Sequence, residues 1–388
     1  MKPANSIFSA LGTTVFTVMS QLAVEHKAVN LGQGFPDGNG PDDVRAKAQE
    51  FLADQPNQYP PMMGVPALRD AVAAHAKRFY GVEVNGAEEV MVTSGATEAI
   101  AACLFGHINT GDEVIVFEPV YDSYLPMIRL AGGVPRLIRL SPPDWELPRA
   151  ELAFACSERT KLIVLNTPMN PSGKVFTADE LGFIGGVAQR YDCTVVCDEV
   201  YEHLTFGAAR HIPLMSLPGM RERCLRIGSA GKTFALTGWK VGYVTGAPHL
   251  LAPVAKAHQF LTFTTPPNLQ RAVAYGLGKD DAYFQGLARD LERKRDLLAE
   301  GLSNLGFGVK TPDSTYFLTA DFAKLRFNGD DLAFCRHLTT EAGVTAIPVS
   351  AFYEDKPPQN FVRFAFCKDD DTLAEALDRL ARYFSKQG

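Results

Sequence analysis

Residues 161–201 read KLIVLNTPMNPSGKVFTADELGFIGGVAQRYDCTVVCDEVY, and the fold turns on this stretch. It opens with an apolar run over 161–165 and closes with another over 193–197. Each is short enough for a strand and apolar enough to be covered on both faces. Between them comes a loop dense in Asn, Pro and Gly. Then Thr177-Ala-Asp-Glu180 has the spacing of a capping box, in which a hydroxyl and a carboxylate satisfy the free backbone donors at a helix start. Strand, loop, helix and strand in succession form the unit of a parallel sheet.

The alternation continues on both sides. Strand candidates at 89–93, 113–117 and 136–140 precede this unit, and others at 224–227 and 240–244 follow it. With the two inside it they predict an α/β domain around a mainly parallel, seven-stranded sheet. In such sheets the loops after the C-terminal strand ends build the ligand site. The pattern changes near residue 265, where Thr265-Pro-Pro-Asn268 breaks it. A charged helix over about 281–305, a strand at 316–320, a helix at 331–341, a strand at 361–366 and a helix from 371 read as a smaller α+β domain. At 388 residues the chain exceeds one ordinary core. The expected division is a large domain over 31–280 and a small one over 281–388, with 1–30 packing on the latter.

Composition narrows the function classes. A chain that is 46% hydrophobic and 21% charged buries a core rather than staying disordered. A net charge of −6 with scattered Lys and Arg argues against a nucleic-acid binder. Seven cysteines, an odd number without a C-x-x-C, fit neither a disulfide framework nor a zinc site. No metal is expected, and a reducing cytoplasm is. Residues 6–24 carry no charge, but Ser, Thr, Gly and Gln interrupt them. They read as an amphipathic lead-in rather than a signal peptide or a membrane span.

The chemistry concentrates in Ser229-Ala-Gly-Lys232-Thr-Phe-Ala-Leu-Thr-Gly-Trp-Lys240-Val-Gly-Tyr243. Lys232 follows a buried strand and sits among Gly, Ser and apolar residues. Desolvation there depresses an amine's pKa and frees it to attack a carbonyl. Gly231-Lys232-Thr233 ends like a phosphate-binding P-loop, but that motif needs glycine at 226, where Arg226 stands. Asp198 ends a buried strand, where a carboxylate is costly unless it meets a cation. Glu199 and Glu202 beside it read as structural. Arg363 is the one charge in the bulky run 361–366, either a snorkelling surface group or a bidentate carboxylate clamp. Gly95, Ala96 and Thr97 stand where a strand turns into a helix, the setting for backbone capture of a phosphate.

Taken together, these motifs resemble the fold-type I, class I and II aminotransferases, pyridoxal-phosphate-dependent transferases, from Asn30 to the last helix. Asn30-Leu-Gly-Gln-Gly-Phe-Pro-Asp37 and Ala346-Ile-Pro-Val-Ser-Ala-Phe352 resemble the kynurenine/glutamine transaminase and bacterial methionine aminotransferase branch. The resemblance implies pyridoxal 5'-phosphate as cofactor and ping-pong transfer of an amino group from an L-amino acid to a 2-oxo acid. Lys232 would hold the cofactor as a Schiff base (the internal aldimine) and shuttle the proton. Asp198 would pair with the pyridine nitrogen, Tyr201 and Asn170 with the phenolic oxygen. Gly95, Ala96, Thr97, Ser229 and Lys240 would surround the phosphate, with lysine at 240 where many of these enzymes have arginine. Tyr121 would stack on the ring. Arg363 would clamp the substrate α-carboxylate, with Gly34 and Asn170 beside it. Tyr59 would reach the phosphate of a second subunit, and Phe263 and Thr264 would line that subunit's substrate pocket, so a homodimer with shared sites is implied. Phe16, Tyr121 and Phe263 suggest a pocket for methionine, glutamine, aromatic or kynurenine-like donors. A β-lyase acting on cysteine conjugates is the alternative on the same scaffold.

Overall fold

The computed structural model describes residues 2–386. A short strand, β1 (Val29–Asn30), precedes seven longer ones: β2 (Val90–Thr93), β3 (Glu113–Glu118), β4 (Val134–Arg139), β5 (Thr160–Asn166), β6 (Thr194–Asp198), β7 (Cys224–Ser229) and β8 (Gly242–Gly246). These seven form one sheet in the order β2-β8-β7-β6-β5-β3-β4. All neighbours run parallel except across β8, which is antiparallel to both β2 and β7. Valine, isoleucine and leucine fill both faces of β3, β5 and β6, as strands covered by helices require. The helix Ala96–His107 packs against Pro248–Leu261, and Pro267–Leu277 packs against Asp42–Asp54 and Pro66–Tyr80.

Five further strands follow: β9 (Gly308–Val309), β10 (Phe317–Asp321), β11 (Val344–Thr345), β12 (Ile347–Pro348) and β13 (Phe361–Ala365). Four of them form an antiparallel sheet in the order β12-β13-β10-β9. The long helix Asp281–Asn304 packs on this sheet and on the last helix, Asp370–Phe384. The remaining strand, β11, pairs in parallel with β1, so the start of the chain is tied to residues more than three hundred positions on.

The structure departs from the sequence expectation at three places. The strand expected over 240–244 begins at Gly242, because Lys240 is left-handed, with φ 53° and ψ 44°, at the end of the turn Thr237–Trp239. The helix expected over 331–341 is α-helical only over Asp331–His337 and continues as a π-turn, Leu338–Ala342, before Gly343 ends it at φ 69°. The break at 265–268 is brief: a helix resumes at Pro267, where the missing N–H of proline is not needed. All seven cysteines are buried and unpaired. No helix among the described residues is long and apolar enough to cross a membrane.

Candidate active site

A cavity of about 340 Å³ opens at the C-terminal ends of the parallel strands and is closed on the other side by β10 and β13. Phe16, Gly34, Gly95, Ala96, Thr97, Tyr121, Asn170, Asp198, Tyr201, Ser229, Lys232, Lys240 and Arg363 all line it. Residues that the chain spreads over almost 350 positions thus meet in one place.

Lys232 lies in the single turn Ala230–Thr233 directly after β7. Its Nζ donates to the Tyr316 hydroxyl at 2.8 Å. Burial pushes its pKa down to about 8, as its apolar setting leads one to expect. Asp198 is the last residue of β6 and is buried. One carboxylate oxygen accepts from the Tyr124 hydroxyl. The other, Oδ1, has no partner among the described residues. Burial raises the Asp198 pKa, and the Tyr124 hydroxyl and the Lys232 charge oppose that rise.

Arg363 sits in β13 and is likewise buried. Its Nη1 donates to Asn170 Oδ1 at 3.0 Å and its Nη2 to the Gly32 carbonyl at 2.7 Å, while Nε is unpartnered. The guanidinium lies 3.9 Å from the centre of the Phe317 ring, with Phe16 and Phe352 around it. Burial lowers its pKa to about 10, so it stays charged at neutral pH. Among the described residues no carboxylate is bonded to it. A buried cation held only by neutral groups is a site waiting for an anion.

The opposite end of the cavity also favours an anion. Gly95 caps the helix Ala96–His107 with φ +81°, which aims free N–H groups and the positive end of the helix dipole at the pocket. A Cβ on residue 95 would lie 3.2 Å from Lys240 Cε and 3.4 Å from its Nζ. The left-handed turn at Lys240 is what brings that ammonium back to Gly95.

Sequence reasoning missed three residues of the site. Asn166, at the end of β5, donates to the Asp198 carbonyl at 2.9 Å and accepts from the Asn170 N–H at 2.8 Å. It also lines the cavity. Asn170, expected at both the cofactor oxygen and the substrate carboxylate, turns its side-chain oxygen to Arg363 and lines the cavity, which leaves its amide nitrogen to donate there. Tyr124 and Tyr316 are the other two. Glu199 and Glu202 form a buried ion-pair cluster with Arg226, joined by His211 at 2.9 Å from Glu199. His75 and His203 lie within reach of Glu202. Their Nε2 atoms are 2.7 Å apart, the length of an N–H···N bond, and Glu202 is already engaged by Arg226 and by the Tyr243 hydroxyl at 3.2 Å. This cluster is structural rather than a metal centre.

Tyr59, Phe263 and Thr264 do not reach the cavity of their own chain. Tyr59 is 84% exposed and meets Phe263 edge to face at 5.5 Å. Thr264 lies beside Tyr59 in a separate surface hollow.

The family model for "Aminotransferase class I and II" matches residues 26–380. The chain is 44% identical to a probable N-succinyldiaminopimelate aminotransferase of Mycobacterium tuberculosis, over 95% of this chain and 96% of that one. It is 40% identical to the methionine aminotransferase of Escherichia coli, again over 95% and 96%. The solved structure of the latter superposes with a TM-score of 0.95 at 39% identity, covering 98% of this chain and all of the other.

The chain belongs to the class I and II aminotransferases. It is an aminotransferase that works with pyridoxal 5'-phosphate, and its own residues fit that cofactor. The orphaned Asp198 Oδ1 calls for a cationic donor, which a pyridinium N–H provides. The helix start at Gly95, crowded by Lys240, leaves the room and the charge that a phosphate needs. The relatives named above are aminotransferases, not lyases, so the β-lyase alternative finds no support among them.

Proposed function

We propose that this aminotransferase takes its amino group from L-amino acids with uncharged, apolar or aromatic side chains, methionine, glutamine and kynurenine among them, and passes it to a 2-oxo acid. The observation that carries this reading is the cavity wall around Arg363: Phe16, Tyr121 and Phe317 face the pocket, and among the described residues of the chain Lys232, Lys240 and Arg363 are the only lysine or arginine cations that line it. With Lys240 at the phosphate end and Arg363 taken by the α-carboxylate, the chain's own described lining offers no further arginine for a side-chain carboxylate.

The roles divide among the chain's own residues. Lys232 would hold the cofactor through its amine, Asp198 its ring nitrogen, Tyr121 its ring face, and Gly95, Ala96, Thr97, Ser229 and Lys240 its phosphate. Tyr201 and Asn170 would face the phenolic oxygen, Asn170 through its amide nitrogen, since its side-chain oxygen accepts from Arg363. When bound, the cofactor supplies an electron sink for the pair left at the substrate Cα. Arg363 and Asn170 orient the α-carboxylate, with Gly34 beside it. The Lys232 amine, partly neutral near pH 8, accepts the Cα proton at Nζ. Buried walls keep water from competing for it.

The exposed pair Tyr59 and Phe263, with Thr264, supports a homodimer in which each chain completes the other's site. The large domain over 31–280 and the small one over 281–388 with the lead-in 1–30 would then bound the site from either side. Seven unpaired cysteines suit a reducing compartment such as the cytoplasm.

A substrate panel tests the reading. Methionine, glutamine, kynurenine, phenylalanine, aspartate and N-succinyldiaminopimelate would each be offered with several 2-oxo acids, and the new amino acid quantified. Turnover of the uncharged donors well above aspartate is expected. Preference for aspartate or N-succinyldiaminopimelate would sink the specificity, and retained turnover in Lys232→Ala would sink the catalytic assignment.

A further inference from the structure

One feature of the cavity lies outside the motifs quoted above, the hydrogen bond on the Lys232 amine. We infer that Tyr316 is a positioning residue that holds this amine in place for proton transfer, and that the same hydroxyl ties it to the loop at Gly34. This rests on Lys232 being the proton carrier.

Tyr316 precedes β10 and is almost wholly buried. Its oxygen accepts from Lys232 Nζ at 2.8 Å and donates to the Gly34 carbonyl at 2.7 Å. A phenol has one proton to give and lone pairs to accept, so both bonds are made at once. With that proton given to Gly34, the amine must donate, and its own lone pair stays free for the substrate. Burial pushes the phenol well above its usual pKa. Tyr316 therefore does not ionise at working pH and is not itself the base.

No other hydrogen bond fixes Nζ among the described residues. Its other near neighbours are ring faces, Tyr201 at 5.5 Å and Tyr316 at 5.4 Å from their centres. A four-carbon side chain without an anchor samples many rotamers, while proton transfer demands one placement. The loop is equally constrained. A Cβ on residue 34 would come within 2.3 Å of the Phe317 ring and 3.2 Å of the Tyr316 ring, so glycine lets the backbone lie directly on the aromatic pair. One hydroxyl thus makes the position of the pocket loop and the pose of the amine a single unit.

The test is Tyr316→Phe, which removes one oxygen and keeps the ring. In the holoenzyme, kcat should fall roughly tenfold or more, with a much smaller change in KM. The isotope effect with Cα-deuterated donor should rise. In full-length protein freed of cofactor, the pH at which acetic anhydride labels Lys232, read by peptide mass, should move down, because the ammonium form loses an acceptor. A second variant, 3-fluorotyrosine at 316, keeps the hydroxyl as a weaker acceptor and should move the labelling pH the same way by less. In a Lys232→Ala background rescued with methylamine, Tyr316→Phe should cost nothing further. Unchanged kcat, isotope effect and labelling pH would overturn the proposal, and so would an equal loss in the rescued background. Borohydride separates this from the reading beneath it: if no cofactor is fixed on the Lys232 peptide of the wild type, the catalytic assignment falls first and Tyr316 with it.

Discussion

Arg363 shows how much a single side chain is asked to do here. Its charge is buried, its two Nη groups are spent on neutral oxygens, and its Nε is left over. A carboxylate that completes it gains a charge-assisted bond in a dry setting. Truncation should therefore appear in substrate binding: Arg363→Ala is expected to raise KM roughly a hundredfold or more, the 2–5 kcal/mol range of buried charge pairs. Arg363→Lys should recover only part of this, since an ammonium lacks the planar fork. Steady-state kinetics on both variants decides it, and an unchanged KM would place the clamp elsewhere. At this scale the sequence was legible where chemistry demands an unusual neighbourhood. A lysine in a Gly and Ser turn, or an arginine amid phenylalanines, stands out. Asn166 did not, because an asparagine ending a strand before Thr-Pro reads as the start of a turn. Its role emerges only from register, which sets Asn166 opposite Asp198 across β5 and β6. Nothing in the sequence marks Tyr124 or Tyr316 either, and only folding reveals which polar atom each hydroxyl meets.

At the scale of elements, apolar runs and caps were the dependable signals. The capping box at Thr177 forms as its spacing predicts, with Glu180 N–H bonded to Thr177 Oγ1 at 3.2 Å and the Thr177 N–H to Glu180 at 2.9 Å. Thr177→Ala should lower stability by about 1 kcal/mol, seen as a lower urea midpoint with turnover unaffected. No shift in midpoint would mean the helix Ala178–Arg190 is held by packing alone. Strand direction was not legible, since an apolar run carries no arrow. That is why β8 could be found without showing that it runs against its neighbours. The reversal matters to the site. A Cβ on Gly242, the first residue of β8, would lie 2.6 Å from the Gly95 carbonyl carbon and 2.8 Å from Ala96 N. The strand therefore starts on a glycine because it runs directly beneath the phosphate turn.

The two larger sheets hold the site between them, and deep charge sets how the whole molecule responds to acid. His75 is buried among Glu202, Arg226 and Arg78, and burial holds its pKa down to about 4; His203, against it, is held to about 3. Both stay neutral in the fold while the unfolded chain binds protons from about pH 6.5 downward. Unfolding is thus favoured progressively as pH falls from about 6.5 to about 4, by on the order of 3 kcal/mol through His75 alone. Glu202, whose pKa is lowered, adds to the loss once pH drops below its unfolded value near 4.5. Urea midpoints at pH 7.5 and 4.5 should show this fall, and His75→Gln should flatten it. An identical slope in that variant would put the acid sensitivity in other groups.

The burial of every sulfhydryl has a practical side. The native protein should be silent to Ellman's reagent, and its seven thiols should react only as the fold opens, so colour development serves as a clock for global unfolding. A cysteine put in place of Phe154, which is 92% exposed, would then be the one handle a maleimide dye can reach, and fluorescence could follow the enzyme in solution without any native residue first being stripped away.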